Sequence, residues 1–181
     1  MCRPIVQHSD VAGWAGYGYC ASYSHFFWGL DLYLVCTPTG VAIPRALANP
    51  KLGEREVLAA MSEVDADLVG RRPGTLLFSD QGFASGPFER HLASQNITLL
   101  RPSRKREKER YGEQIPKKMR QLIESVNDTL KGQLNLELHS ARTIEGVAIR
   151  VAQRILALAT ANWPNNKTGT PITSSLIAYD H

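Results

Sequence analysis

The chain has 181 residues, 43% hydrophobic and 21% charged, which fits one soluble domain with a sizeable core, residues 1–181. A net charge of +4 and a pI of about 9.1 admit a polyanionic partner without requiring one. Cys2, Cys20 and Cys36 show no CxxC or Cys/His spacing, which argues against a disulfide framework or zinc site, and with no leader and no apolar run near the ~18 residues of a membrane span the expected location is the cytoplasm.

The opening, MCRPIVQHSDVAGWAGYGYCASYSH, mixes glycines, aromatics and small polar residues without a period. Residues 1–25 therefore read as irregular structure or the tail of an earlier element, with no strand. FFWGLDLYLVCTPTGVAIPRALA follows as two strand-like runs around TPTG, an antiparallel hairpin with Pro38 and Gly40 in its turn. GEREVLAAMSEVDADLVG changes to helical period, with Val57, Leu58, Met61 and Val64 on one face and Gly70 as its stop. TLLFSD reads as a buried, doubly covered strand running into Asp80. SGPFERHLASQN is a helix starting near Ser85 or Gly86, with Pro87 in its first turn, and ITLLRP is a further strand. This order predicts an α/β domain with a mixed sheet.

Residues 101–120 hold nine Lys/Arg against three Glu, a local +6 that leaves −2 for the rest of the chain. SRKREKERYGEQIPKK is nearly free of apolar residues and reads as an exposed, mobile loop. KKMRQLIESVNDTLKGQL is an amphipathic helix whose stripe is Met119, Leu122, Ile123, Val126 and Leu130. TIEGVAIRVAQRILALATANW is a more apolar helix capped at Thr143, and PNNKTGTPITSSLIAYDH reads as an irregular terminus. Trp14, Trp28 and Trp163 are assigned to the core, and the five histidines to surface or packing roles.

Two positions invite a chemical reading. Asp80 ends a strand, and ligands of open α/β sheets gather outside the carboxyl ends of strands. A carboxylate there needs a cation or several donors, and Gly82 would ease a sharp turn beside it. The alternative is an Asp that caps the next helix or closes a turn. Glu124 lies outside the apolar stripe and shares a flank with Arg120 one turn before it and Lys131 two turns after it. The alternative for that trio is a solvated charged face.

Taken together, Asp80, the basic loop and the Glu124 helix resemble the acidic-triad (DDE) transposases of bacterial insertion sequences. Arg120, Glu124 and Lys131 fit the R-x3-E-x6-K part of the family signature Y-x2-R-x3-E-x6-K, while Lys117 stands at its tyrosine position. SDQGF resembles the D-x-G-[FY] element around the second acidic residue, and GWAGYGYC, FFWGLDLYLVCTPTG and RQLIESVNDTLKGQL extend the likeness over nearly the whole chain. The resemblance implies a ribonuclease-H-like fold in which three carboxylates gather two Mg²⁺ or Mn²⁺ ions, hard cations that prefer carboxylate oxygens. Such ions, about 3.5–4 Å apart, serve phosphodiester cleavage and strand transfer. It assigns Asp80 and Glu124 as catalytic, metal-binding carboxylates, and Arg120 and Lys131 to DNA phosphates. DNA is the implied partner, with a homodimer as one option and no membrane.

One element of the family is expected to be missing. The first Asp belongs to a strand upstream of the hairpin; Asp10 lies in irregular sequence and Asp31 reads as an outward-facing strand residue. The expectation is a truncated catalytic domain with little strand transfer. In the basic loop of about 101–118, Arg101, Arg104, Lys105, Arg106, Lys108 and Arg110 are expected to track DNA. Neutralising about six phosphates would give a salt slope of roughly −5 in log K. A non-catalytic DNA-binding remnant and another ribonuclease-H-like nuclease are the competing functions.

Overall fold

The computed structural model describes residues 9–20, 24–65, 74–110, 115–168 and 176. Cys2, the expected stop at Gly70 and most of the terminus after 168 lie outside them. The chain divides into two compact units, Met1–Leu52 with Leu122–His181, and Gly53–Gln121. Strands and helices occur in both, so the mixed α/β class is observed. The expected mixed sheet is instead three two-stranded sheets among the described residues.

In the first unit, β1 (Gly16–Cys20) pairs antiparallel with β2 (His25–Gly29), from Gly16↔Gly29 to Cys20↔His25. This corrects the reading of residues 1–25 as strandless. The alternation of Gly and Tyr has a period of two, which places Tyr17 and Tyr19 opposite Trp28 and Phe26 on one face. Gly16 and Gly18 make room on the other: a β-carbon on Gly16 would lie 2.5 Å from Asn49 Oδ1, and one on Gly18 would run into the Phe27 ring. No carboxylate lies in β1. The run FFWGLDLYLV, read as one strand, breaks at Leu30 into β2 and β3 (Asp31–Cys36).

The predicted hairpin is present. β3 pairs antiparallel with β4 (Ala42–Ala48), Asp31↔Ala48 to Leu34↔Arg45, with a register shift between Leu34 and Cys36. Thr37 N–H donates to Val41 O at 2.8 Å and Gly40 N–H to Thr37 O at 2.9 Å. Gly40 sits at φ +78°, a left-handed conformation that a side chain disfavours.

α3 (Ile115–Asp128) and the turn after it bury part of the predicted stripe: Val126 and Leu130 pack with Leu158 of α4 (Ile144–Thr168) against Leu34 and Cys36 of β3. Burial pushes the Cys36 thiol up to about 11. Thr143 Oγ1 accepts from Gly146 N–H at 3.1 Å, which is the expected cap. α4 continues through Pro164 to Thr168 rather than ending at Trp163. Trp14 and Trp163 are 58% and 56% exposed, so neither belongs to the core.

The second unit contains α1 (Glu54–Val64), β5 (Thr75–Phe78), α2 (Gly86–Ser94) and β6 (Ile97–Leu100). β5 and β6 run parallel, Thr75↔Ile97 to Phe78↔Leu100. Phe88, Leu92, Ile97 and Leu99 form the core, with Leu58, Leu77 and Phe83 against it. Ser85 caps α2 and Pro87 follows in its first turn, as expected. Leu76, in contrast, is 53% exposed. β5 is therefore covered on one face, not two, and its apolar run overstated its burial. Among the described residues no helix is long and apolar enough to cross a membrane.

Candidate functional site

Asp80 stands where the parallel pair ends. Ser79 N–H still donates to Leu100 O at 3.0 Å, continuing the ladder one step past β5. Asp80 then begins a 3-10 turn, Gln81–Phe83, with its own Oδ1 accepting from Gly82 N–H at 2.8 Å. It is thus a capping carboxylate, the structural alternative raised for this residue. The two roles are compatible, because an ionised carboxylate has about four acceptor sites and the cap uses one. Asp80 is exposed, so its remaining lone pairs face solvent.

Gly82 lies within this tight turn, and what its missing side chain supplies is room. Its φ is not in the left-handed region, but a β-carbon there would stand 3.0 Å from Asp80 Oδ1 and 3.5 Å from Glu54 Oε2. The glycine leaves space for two carboxylates. Glu54, in the first turn of α1, was not singled out from the sequence. The aromatic that follows has a packing reason: Phe83 lies against Phe88, ring centroids 6.2 Å apart, and seals the turn to the core.

Glu124 is exposed on α3 in the first unit, and Asp80 belongs to the second. Arg120, on the same helix, is also exposed. Lys131 lies beyond the end of α3, in a wider turn. Thr129–Gln133 is a π turn, closed by Leu134 N–H on Thr129 O at 3.0 Å, and this wider turn shifts the phase of an α-helix. Lys131 Nζ pairs with Glu137 Oε1 at 3.2 Å, both exposed. Its charge also acts on Asp31 of β3, whose carboxyl is raised by burial and partly lowered by Lys131. Asp31 is half-buried.

The basic segment corrects the expectation most. Arg101 is only 6% exposed and lies in a ring of four charges. Its Nε donates to Glu89 Oε1 at 2.9 Å, and its Nη1 and Nη2 to Glu107 at 2.7 and 2.9 Å. Arg110 closes the ring, donating to Glu107 Oε1 at 2.9 Å and Glu89 Oε2 at 3.0 Å. The Arg101 hydrogen bond, the Arg104 backbone N–H at 3.0 Å and Arg110 hold the Glu107 carboxyl well below the usual range. Arg101 and Arg110 are therefore committed to the protein's own carboxylates. Arg104 is exposed yet donates from Nη2 to Ala84 O at 2.6 Å. Lys105, Arg106 and Lys108 point outward. An open cavity of about 370 Å³ is lined by Ser85 and Gly86 at the start of α2 and by Arg104 and Arg106.

Glu107–Arg110 was open to detection from its i,i+3 spacing, whereas Glu89–Arg101 joins a helix to a loop twelve residues away and leaves no local signal. Among the described residues no group of three or more His, Cys, Asp or Glu side chains is arranged to hold a metal ion. Asp80 and Glu124 offer the hard oxygen donors that Mg²⁺ or Mn²⁺ favours, each as an exposed carboxylate. A family model described as "Transposase DDE domain" matches residues 2–144. No curated protein matches the chain.

Proposed function

The chain belongs to the transposase DDE domain family, and from that premise we propose that it acts on bacterial insertion-sequence DNA by metal-dependent phosphodiester cleavage. The observation that carries this reading is the placing of Asp80: exposed, at the carboxyl end of a parallel strand pair, with one oxygen held by Gly82 N–H and the rest available. Asp80 and Glu124 would hold Mg²⁺ or Mn²⁺. Such an ion, when bound, polarises a phosphodiester and lowers the pKa of the attacking hydroxyl.

The remaining roles belong to side chains that reach solvent. Lys105, Arg106 and Lys108 would bind DNA phosphates, and Arg120 and Lys131 would do so near Glu124. β1 supplies no carboxylate, so two of the family's three acidic positions are assigned. Catalysis by positioning suffers when the ligand set is short, and strand transfer by this chain should be weak. A homodimer would bring two such sites to paired DNA ends.

Purified chain with supercoiled and linear DNA tests the reading. Slow nicking that needs Mg²⁺ or Mn²⁺ and disappears in Asp80→Ala is the expected result. Nicking without metal, or undiminished in Asp80→Ala, removes it. Salt-sensitive DNA binding with no nicking under any metal would instead favour a non-catalytic remnant, and preferential cleavage of branched DNA a junction-resolving nuclease.

A further inference from the structure

Ala84 ends the turn that begins at Asp80, and its carbonyl is held twice. Arg104 Nη2 donates to it at 2.6 Å and Arg55 Nη1 at 3.2 Å, which occupies both lone pairs of that oxygen. Ala84 is 3% exposed, so water is largely kept from these charge-assisted bonds. A third tie reaches the same turn at Gln81, whose Nε2 donates to Ser103 O at 2.7 Å.

The donors are themselves fixed. Arg55 rides on α1, one residue after Glu54. Arg104 has its backbone N–H on Glu107 Oε2 at 3.0 Å, and Glu107 is locked by Arg101 and Arg110. Within the turn, Ala84 N–H donates to Gln81 O at 3.1 Å and Gly82 N–H to Asp80 Oδ1 at 2.8 Å. A continuous set of bonds thus runs from the charged ring to the Asp80 carboxylate.

The geometry points to Arg104 and Arg55 as positioning residues for Asp80: by gripping the Ala84 carbonyl they set the turn that aims its side chain. The inference rests on Asp80 as a metal-binding carboxylate. It gives the inner half of the basic segment a role separate from DNA. Partners that orient a metal ligand typically change metal affinity 10–100-fold when lost, and here about tenfold is expected because each arginine leaves the other in place.

Two readouts on the full chain test this: amide hydrogen exchange at Gly82 and Ala84, and broadening of their resonances by titrated Mn²⁺. Arg104→Ala and Arg55→Ala should each speed exchange at both amides and weaken Mn²⁺ binding about tenfold, with cooperative thermal unfolding retained. Arg104→Lys keeps the cation on a shorter side chain and should resemble Arg104→Ala; full rescue by lysine would show a through-space charge effect and overturn the grip. Unchanged exchange in both alanine variants overturns it as well, as does faster exchange with undiminished Mn²⁺ binding. Asp80→Asn is the separate control. If it leaves Mn²⁺ binding intact, the metal reading of Asp80 has failed, and the positioning role falls for that identifiable reason.

Discussion

Residues 101–110 contain two populations of cation that look alike on paper. Arg101, Arg104 and Arg110 turn inward to Glu89, Glu107 and the Ala84 carbonyl, whereas Lys105, Arg106 and Lys108 stay in solvent. All the inward residues are arginines. A planar guanidinium can serve two carboxylates at once, and Arg101 does so, while an ammonium is a compact, strongly hydrated charge. The lesson is that a local excess of positive charge overstates the charge available to a partner.

The largest effect that tests this division is on stability. Replacing Arg101 by methionine keeps much of the side-chain volume but strips Glu89 and Glu107, 24% and 30% exposed, of the buried cation they share. The loss should lower the urea or thermal midpoint by clearly more than the ~0.5 kcal/mol of an ordinary surface substitution. A change within about 0.5 kcal/mol, the range of ordinary surface substitutions, would place Arg101 with the outward group.

Next in size is the salt dependence of DNA binding. With three outward cations in this segment instead of six, its contribution to the slope of log K against log salt falls from roughly −5 to about −3. Neutralising Arg106 alone should reduce the slope by about 1 and weaken all sequences alike. A segment contribution near −5 would mean that Arg101 and Arg110 leave their glutamates for DNA, and the comparison would collapse.

The pH dependence sharpens the same contrast. Glu107 has a folded pKa far below its unfolded value near 4.5, so the unfolded chain takes up the proton first. Its stabilising contribution is complete above that value and is lost progressively as pH falls toward the folded pKa. Wild type and Glu107→Gln should therefore differ in unfolding midpoint at pH 7 and converge in acid. Parallel curves down to pH 3 would show that the carboxylate is not held by its arginines.

How far these features were legible depends on whether their cause was local. The hairpin around Gly40, the capped helix at Ser85 and the stripe through Val126 and Leu130 follow from turn chemistry and periodicity within a few residues. Asp80 was legible for the same reason, since a short strand, an acid and Gly82 adjoin one another. Three features were not. β1 alternates glycine with tyrosine, a pattern whose strand character comes from pairing with β2 and from backbone room at Gly16 and Gly18. The π turn at Thr129–Gln133 lies inside a sequence that satisfies an α-helical period, and only the Leu134–Thr129 hydrogen bond shows the change of phase. The Arg101 ring brings Glu89, before β6 in the chain, and Glu107, after it, to one guanidinium, a tertiary coincidence with no periodic trace.

The smallest expected effect is at Lys131, the proposed DNA contact beyond the π turn. Its partner Glu137 makes the kind of ion pair that the Arg101 ring is not: side chains 54% and 70% exposed and, among the described residues, no second cation on the carboxylate. An exposed pair contributes at most about 0.5 kcal/mol, because solvent screens the attraction and both long side chains lose freedom in making it. Glu137→Gln should thus leave the unfolding midpoint within that margin. It should also raise DNA affinity slightly at low salt, since the carboxylate competes with phosphate for the same ammonium, and the gain should vanish as salt screens both. If the substitution instead destabilised the chain as strongly as Arg101→Met, Lys131 would be a structural cation like the inward arginines. Its outward, phosphate-facing role would then have to be withdrawn.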